Sequence, residues 1–297
     1  MVLSPTAAFG ALVLGATSIS LGVIAVKQGY AGGSDPQSLN AARMLVAAPC
    51  VALALPFLLR AGRPIGVRGA LFAIAAGGLL WFASRAELEG LARLPAGMLA
   101  LLLATAPVWV AAFDWIGLGR VPSRVERITI PAIVVGIAVM AAPVGSDVDL
   151  VGVLGGLASA MTFAVFLLVI GRNRRVSSVQ AFSLGMIGAA LTVVITDPTS
   201  LTDLPGDLSV PLMLAVGVSS ACWALLVGVG IGGTSATTGA AVVAVEPVLV
   251  AVLAYVILGE GLSTRQIVGG TIAVGALAVV AANLGVHERE SPGPEAV

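Results

Sequence analysis

The stretch Ala106-Pro-Val-Trp-Val-Ala-Ala112 has a counterpart 140 residues further along the chain, Glu246-Pro-Val-Leu-Val-Ala-Val252. Each stretch is followed by Leu-Gly, at residues 118–119 and 258–259, and then by a serine. Further matches at the same displacement are Leu14-Gly15 with Leu154-Gly155, Ser38 with Ser178, Gly77 with Gly217, and Gly90 with Gly230. One gap-free register over such a length predicts that the chain consists of two related halves.

The composition predicts that these halves lie in a lipid bilayer. Of the 297 residues, 58% are hydrophobic and only 10% are charged, against roughly 25% charged in soluble domains. Such a composition excludes a disordered chain, and the two cysteines are too few for a disulfide scaffold. A formal net charge of zero excludes a nucleic-acid binder that relies on a basic face. We therefore predict an integral membrane protein whose partners are the lipid bilayer and a small molecule, with no nucleic acid.

Ten apolar stretches each approach the ~20 residues that a helix needs to cross a bilayer. The predicted spans are 7–26, 38–59, 68–86, 95–117, 127–144, 150–171, 178–196, 209–229, 236–258 and 265–285. The apolar runs are continuous rather than alternating, which excludes membrane strands. The predicted fold is an all-α integral membrane protein with ten transmembrane helices in two five-helix repeats, 7–144 and 150–285. Residues 286–297 form a polar tail that we expect to be cytoplasmic and disordered.

The loop charges predict the orientation of the spans. Nine arginines lie in the three loops that follow spans 2, 4 and 6: Arg60, Arg63, Arg68, Arg120, Arg124, Arg127, Arg172, Arg174 and Arg175. These loops share one side of the membrane, which the positive-inside rule identifies as the cytoplasm. Both termini are then cytoplasmic as well, and we expect the cell membrane, plasma or inner, as the location. The loops on the opposite side carry mainly acids.

An odd number of spans in each half predicts that the second half is inserted upside down relative to the first. The loops agree, because the arginine-rich loop after span 2 corresponds to the aspartate-rich loop after span 7. Inverted repeats are the architecture of secondary transporters, in which two halves meet at a site near the membrane midplane. Rocking of the halves exposes that site to each side in turn.

The end of each half resembles a known family. Thr234-Ser-Ala-Thr237, Glu246-Pro-Val248 and Leu258-Gly-Glu260, followed by Ser263, Gln266 and Gly269-Gly270, resemble the pattern of EamA-type members of the drug/metabolite transporter superfamily. In the first half, Arg43 resembles the arginine near the start of the family's second helix, whereas Arg120 stands where the family usually has a glutamate. The resemblance implies a central cavity lined mainly by spans 1, 3, 4, 6, 8 and 9. It also implies export or exchange of small metabolites, often amino acids or amphipathic compounds.

Glu246 and Pro247 are the best-placed candidates for a substrate site. A carboxylate inside a predicted span is costly and is therefore a functional candidate. Pro247 removes one backbone hydrogen bond and frees the carbonyl of Val243. A broken helix beside a carboxylate can bind an amine or titrate a proton. The alternative is that Glu246 is a structural partner at a packed kink.

Further charged residues lie near the ends of spans. Arg85, Glu87 and Glu89 at the end of span 3 form either a gate or a solvated rim. Arg43, in span 2, reaches the membrane surface or pairs with Glu87 or Glu89. Asp114, near the cytoplasmic end of span 4, either takes part in gating or pairs with an arginine of the following loop.

Aromatic and hydroxyl side chains in the predicted cavity helices are candidate substrate contacts. Trp81 and Trp223 lie at nearly equivalent positions of the two halves and are able to stack on a substrate or contact its cation. Packing or membrane-interface anchoring is the alternative for both. Ser18, Thr105, Thr162 and Ser220 are candidate polar contacts, although such hydroxyls in helices often bond only to their own backbone.

The predicted function is a secondary transporter, an exporter of small organic metabolites that acts by alternating access, with protons as a candidate coupling ion. No phosphate-binding loop is present, so ATP-driven transport is not expected. His287 is the only histidine and lies in the tail, so we expect neither a metal site nor a cofactor. The alternatives are a membrane-embedded enzyme acting on lipid-linked substrates and a receptor-like or scaffold protein. The sequence leaves a monomer and a homodimer open.

Overall fold

The computed structural model describes residues 4–61, 65–118, 124–141, 149–172, 176–202, 208–233 and 246–290, and every regular element in these ranges is helical. The helices are α1 (Pro5–Ala31), α2 (Pro36–Ala61), α3 (Val67–Arg93), α4 (Ala96–Leu103), α5 (Ala106–Leu118), α6 (Arg124–Ala141), α7 (Leu150–Arg172), α8 (Ser178–Thr196), α9 (Val210–Gly233), α10 (Glu246–Leu258) and α11 (Thr264–Glu290). The last five residues of α10, Ala254–Leu258, form a π-helical turn.

The predicted all-α membrane class is confirmed. Among the described residues, seven helical stretches are long and apolar enough to cross a bilayer. Large apolar side chains such as Leu53, Ile116 and Ile195 are exposed on the surface of the protein, where lipid tails would contact them. The chain is therefore a multi-pass membrane protein.

Local sequence explains where several helices begin. The Ser4 hydroxyl caps α1 by accepting a hydrogen bond from the Ala7 N–H, and Pro5 fits the first turn because its missing N–H would be unpaired there. Ser177 and Gln180 form a capping box at the start of α8, in which each side chain bonds the backbone of the other residue. Both caps fix the position at which an apolar helix enters the membrane.

The predicted fourth span is two helices, and the described part of the chain therefore contains eleven helices rather than ten. The break lies at Ala104 and Thr105, between α4 and α5. Pro107 has no N–H to donate to the carbonyl of Leu103, and its ring crowds that carbonyl. The N–H and the hydroxyl of Thr105 both donate to the carbonyl of Leu102, at 3.1 Å and 2.7 Å, so this carbonyl is satisfied at the break.

Two further spans are longer than the sequence predicts. Span 1 was predicted to end at residue 26 and span 3 at residue 86, but α1 continues to Ala31 and α3 to Arg93. Helix α3 passes through the charged stretch 85–89 because its charges are paired: Arg85 with Glu89 one turn away, and Glu87 with Arg43 of α2. At the other end of the chain α11 is described as far as Glu290, within the predicted disordered tail.

The principal helix contacts join the first half of the chain to the second. α1 packs along α9, α3 along α7 and α8, α2 against α8 and α9, and α6 against α11. Glycines permit the closest approaches: a side chain at Gly77 would collide with the backbone of α8, and one at Gly217 would collide with Val46 of α2. The halves are thus interlocked rather than side by side.

Candidate functional site

A cavity of about 340 Å³ lies between the two halves. Its walls come from α1, α3, α4, α5, α7, α9 and α10, which are the helices of predicted spans 1, 3, 4, 6, 8 and 9, and also from α2 and α8. The volume lies within the range of roughly 300–1,000 Å³ that is typical of small-molecule pockets. Most of the lining is apolar, and the polar lining residues are Arg43, Ser84, Glu87, Ser159, Ser220 and Glu246.

A buried ion pair occupies one part of the cavity wall. The two terminal nitrogens of Arg43 contact the two carboxylate oxygens of Glu87, Nη1 to Oε2 at 3.0 Å and Nη2 to Oε1 at 3.1 Å. Nη1 also donates to the Ser84 hydroxyl at 3.0 Å, and Nε donates to the Ser220 hydroxyl at 3.1 Å. Arg43 is 3% exposed, so a charge there requires these partners. We call Arg43, Ser84, Glu87 and Ser220 the arginine cluster.

Glu246 lines the same cavity without such partners. It is half-buried, and within the described residues it has neither a hydrogen-bond partner nor an ion pair. Its charge is close enough to interact with those of Arg43 and Glu87. Pro247, which follows it, is buried and also lines the cavity. The described part of α10 begins at Glu246, and Val243, whose carbonyl was predicted to be freed by Pro247, lies outside the described residues.

Aromatic side chains form another part of the wall. The Trp223 ring centroid lies 5.4 Å from that of Phe182, edge to face, and 5.9 Å from that of Phe163. Phe166 is fully buried behind them and contacts both phenylalanines. Phe163, Phe182 and Trp223 reach the cavity. We call these four residues the aromatic cluster; such mutual contacts fix the orientation of the rings.

Polar contacts join the two halves at the ends of the helices. Lys27 of α1 contacts Glu260 at 3.1 Å (Nζ to Oε1) and donates to the carbonyl of Leu94 at 2.7 Å. The other carboxylate oxygen of Glu260 accepts the N–H of Ala96, at the start of α4, at 2.8 Å. A negative group suits the N-terminus of a helix. We call Lys27, Leu94, Ala96 and Glu260 the latch.

Comparison with known proteins identifies the family. The profile of the EamA-like transporter family matches residues 6–142 and again residues 150–282. This chain belongs to the EamA-like transporter family. The family membership that the sequence motifs indicated is thereby confirmed, and the protein is a membrane transporter of the drug/metabolite transporter superfamily.

Comparison with solved structures shows a similar fold. One crystal structure, titled only "Crystal structure of protein", matches with a TM-score of 0.59 at 17% sequence identity. The match covers 95% of this chain and 99% of that one, so the fold extends over almost the whole of both. None of the curated proteins matches the sequence.

The EamA-like cavity contains only some of the residues predicted to line it. Glu246, Pro247, Trp223 and Ser220 line it, as do Arg43 and Glu87. Trp81 instead packs against the apolar core. The Ser18 hydroxyl joins α1 to α9 through the carbonyl of Ser219, and Thr105 stabilises the break between α4 and α5.

The remaining candidates lie away from the cavity or outside the described residues. Thr162 is on α7 but is not a lining residue. Arg85 and Glu89 pair with each other on α3. Asp114 is on α5, and its side chain lies outside the described residues.

Four of the polar and aromatic lining residues were not predicted: Ser84, Ser159, Phe163 and Phe182. The scarcity of aromatic residues, 5% of the chain, was a usable signal for Phe163, because Phe163 and Phe166 lie one turn apart on a predicted cavity helix. Ser84 lies one turn before Glu87, which places both on the same face of α3. Nothing in the sequence marks Ser159 among the other helical serines.

Proposed function

We propose that this EamA-like protein is a secondary transporter that exports small organic metabolites, amino acids or amphipathic compounds, across the cell membrane by alternating access. The observation that carries the proposal is a cavity whose walls come from both halves, with the latch joining those halves. A site shared by two related halves becomes accessible from one side or the other when the halves move relative to each other.

The packing of the helices supports an inverted relation between ten spans. When α4 and α5 are counted as one span, exchanging the halves converts the contact of α1 with α9 into that of α7 with α3. In the same way, the contact of α3 with α8 becomes that of α9 with α2. The contacts of α2 with α8 and of α6 with α11 are unchanged by the exchange. This is the pattern that a twofold axis between the halves produces.

The orientation follows from the loop charges. The arginine-rich loops, and with them both termini, lie in the cytoplasm, and the latch lies at the opposite end. The cavity reaches from the arginine cluster towards Leu12 of α1 and Ile231 of α9, which are nearer the cytoplasmic ends of their helices. The latch therefore closes the outer end of the cavity, and its opening releases an exported substrate.

The alternative of a lipid-modifying membrane enzyme has less support. Such chemistry uses acids or histidines clustered at one membrane face. The three ionisable lining residues come from three different helices, and two of them neutralise each other. No observation on the described residues favours catalysis over transport.

Reconstitution tests the proposal. The full chain is placed in liposomes, and the efflux of preloaded amino acids and amphipathic amines is measured with and without a pH gradient. Saturable efflux that exceeds that of protein-free liposomes is the expected result. Absence of efflux for every compound, together with turnover of a lipid substrate by the same protein, would overturn the proposal in favour of the enzyme.

A further inference from the structure

The charges that face the cavity do not balance. Among the described residues, its ionisable lining groups are Arg43, Glu87 and Glu246. Arg43 and Glu87 neutralise each other through two short contacts. This leaves one carboxylate, that of Glu246, and the ionised site therefore carries a net charge of −1.

The positive charges nearby are already engaged. Every nitrogen of the Arg43 guanidinium has a partner in the arginine cluster. Lys27 does not line the cavity, and its ammonium group is held by Glu260 and the carbonyl of Leu94. An anionic substrate would have to displace Glu87 from Arg43 and leave that carboxylate uncompensated, which is strongly unfavourable in a buried site.

A cation would instead supply what Glu246 lacks. An ionised carboxylate in an apolar cavity costs much less free energy when a positive charge replaces the water that it has lost. The cavity is large enough for a small organic molecule, and most of its lining is apolar. The complementary ligand therefore has one positive charge and an apolar body.

The aromatic cluster suits the same ligand. Phe163, Phe182 and Trp223 reach the cavity from three different helices, and Phe166 supports two of them from behind. Aromatic faces attract cations within about 6 Å, and tryptophan does so most strongly. The same rings stack on an aromatic or aliphatic body, so they stabilise both parts of such a molecule.

Resting on the proposed transport function, we propose that the cavity selects organic monocations with an aromatic or aliphatic body, and that Glu246 binds their positive charge. Amino acids fit less well, because a zwitterion brings a carboxylate for which the described cavity has no free cation. The inference thus chooses between the two substrate classes of the proposed function, in favour of amphipathic amines.

A matched series of ligands tests this selectivity on the purified full chain. The compounds are 2-phenylethylamine, phenylalanine, 3-phenylpropionate and the neutral 2-phenylethanol, with phenyltrimethylammonium as a cation that cannot lose a proton. Equilibrium binding and exchange in liposomes are measured for each. We expect both cations to bind at least about tenfold more tightly than the zwitterion, the anion and the alcohol.

Variants test whether Glu246 binds the positive charge of the ligand and whether the ring of Trp223 contributes to cation binding. Glu246→Gln should weaken binding of the cations by about tenfold or more and leave 2-phenylethanol unchanged, because only a charged ligand loses its partner. Glu89→Gln is the matched control, because Glu89 pairs with Arg85 on α3 and does not line the cavity. Trp223→Leu should weaken cation binding, and Trp223→Phe should restore most of it. Trp115→Leu, which changes an exposed tryptophan outside the lining, is the control.

The outcomes separate the two proposals. Exchange of phenylalanine or 3-phenylpropionate in preference to both cations overturns the monocation inference and leaves the transporter in place. Equal cation binding by the wild type and a folded Glu246→Gln variant overturns the role of Glu246. If that variant fails to fold, the ranking of ligands by the wild type still decides the substrate class. Cation binding without exchange of any compound supports the inference and contradicts transport.

Discussion

The two halves contribute different chemistry to one cavity. The first half supplies Arg43, Ser84 and Glu87, whereas all three aromatic lining residues, Phe163, Phe182 and Trp223, come from the second half, which also supplies polar residues such as Glu246. At the displacement of 140 residues, the three polar residues correspond to Ser183, Ala224 and Val227, and the three aromatic residues to Val23, Ala42 and Ala83. Arg43 and Glu87 have no charged counterpart, and the three aromatic residues have no aromatic counterpart, so the ion pair and the rings each come from one half although the scaffold is repeated.

The scaffold itself is closely repeated. Residues 106–118 of α5 and their counterparts 246–258 of α10 are helical in both halves, and each stretch has proline at its second residue. The first residues of the two stretches both line the cavity but differ in chemistry, with alanine in one half and glutamate in the other. In the proposed transport, the repeated backbone supplies the means of movement, and the side chains that differ between the halves supply the binding chemistry.

When a residue of one half is replaced by its counterpart from the other half, the largest effect on stability is expected at Arg43. Replacement by its counterpart, in the variant Arg43→Ser, leaves Glu87 as a buried charge without its partner. We expect a loss of about 3–5 kcal/mol in unfolding free energy, as for other broken buried pairs. The double variant Arg43→Ser/Glu87→Val also replaces Glu87 by its counterpart and should recover much of this loss.

Thermal and denaturant unfolding in detergent measures both Arg43 variants. Arg85→Ser is the matched control, because it removes an arginine that pairs only at the partly exposed surface of α3. A double variant no more stable than Arg43→Ser would show that the uncompensated charge of Glu87 is not the cause of the loss.

The equivalent glycines sharpen the comparison, because both lie where a helix of the other half approaches too closely for a side chain. A Cβ at Gly77 would collide with the backbone of α8, and one at Gly217 with the Cβ of Val46, which is fixed to the backbone of α2. We expect Gly77→Ala and Gly217→Ala each to cost about 1–3 kcal/mol, the range for an overpacked core. Unfolding measurements decide, with Gly10→Ala as a control in open space. A loss at either glycine no larger than that of Gly10→Ala would contradict the packing described there.

The smallest expected effect lies outside the membrane, at Asp197. The Gln37 amide donates a hydrogen bond to its carboxylate at 2.9 Å, and this bond, together with those from Ser200 and Thr199, holds the pKa of Asp197 below its ordinary value. A lowered folded-state pKa stabilises the protein above the unfolded pKa of about 4, and this contribution is lost as the pH falls through the folded value.

Asp197→Asn tests that contribution. Since the carboxylate is largely exposed, the loss near neutral pH should be about 0.5 kcal/mol or less, and the difference from wild type should vanish at low pH. Melting temperatures of both proteins between pH 3 and pH 7 provide the measurement. A difference independent of pH would assign the effect to something other than the charge.

The sequence predicted the repeat, the membrane class and some of the cavity residues for identifiable reasons. Charges and tryptophans are scarce in the spans, so Glu246 and Trp223 were prominent. The sequence could not predict which face of each helix lines the cavity, because a buried membrane helix is apolar on every side. Phe182 therefore did not stand out, and Trp81 was assigned to the cavity although it packs in the core.

Most contacts between distant segments were beyond prediction. The bond of Glu260 to the Ala96 N–H and its pairing with Lys27 depend on how the ends of α1, α4 and α10 meet in three dimensions. The pair of Arg43 with Glu87 was one of the alternatives that the sequence left open, but the resulting continuation of α3 through its charged stretch was not predicted. Such pairings are tertiary and leave no periodic signal in the sequence.

The two halves are proposed to move relative to each other during transport, and a reversible crosslink across the latch tests this movement most directly. Lys27→Cys and Glu260→Cys are combined with Cys50→Ala and Cys222→Ala, and a short bifunctional thiol reagent cleavable by reductant joins the new cysteines in liposomes. Exchange should stop on crosslinking and return on reduction, while each single-cysteine protein remains active. Undiminished exchange by fully crosslinked protein would contradict the account.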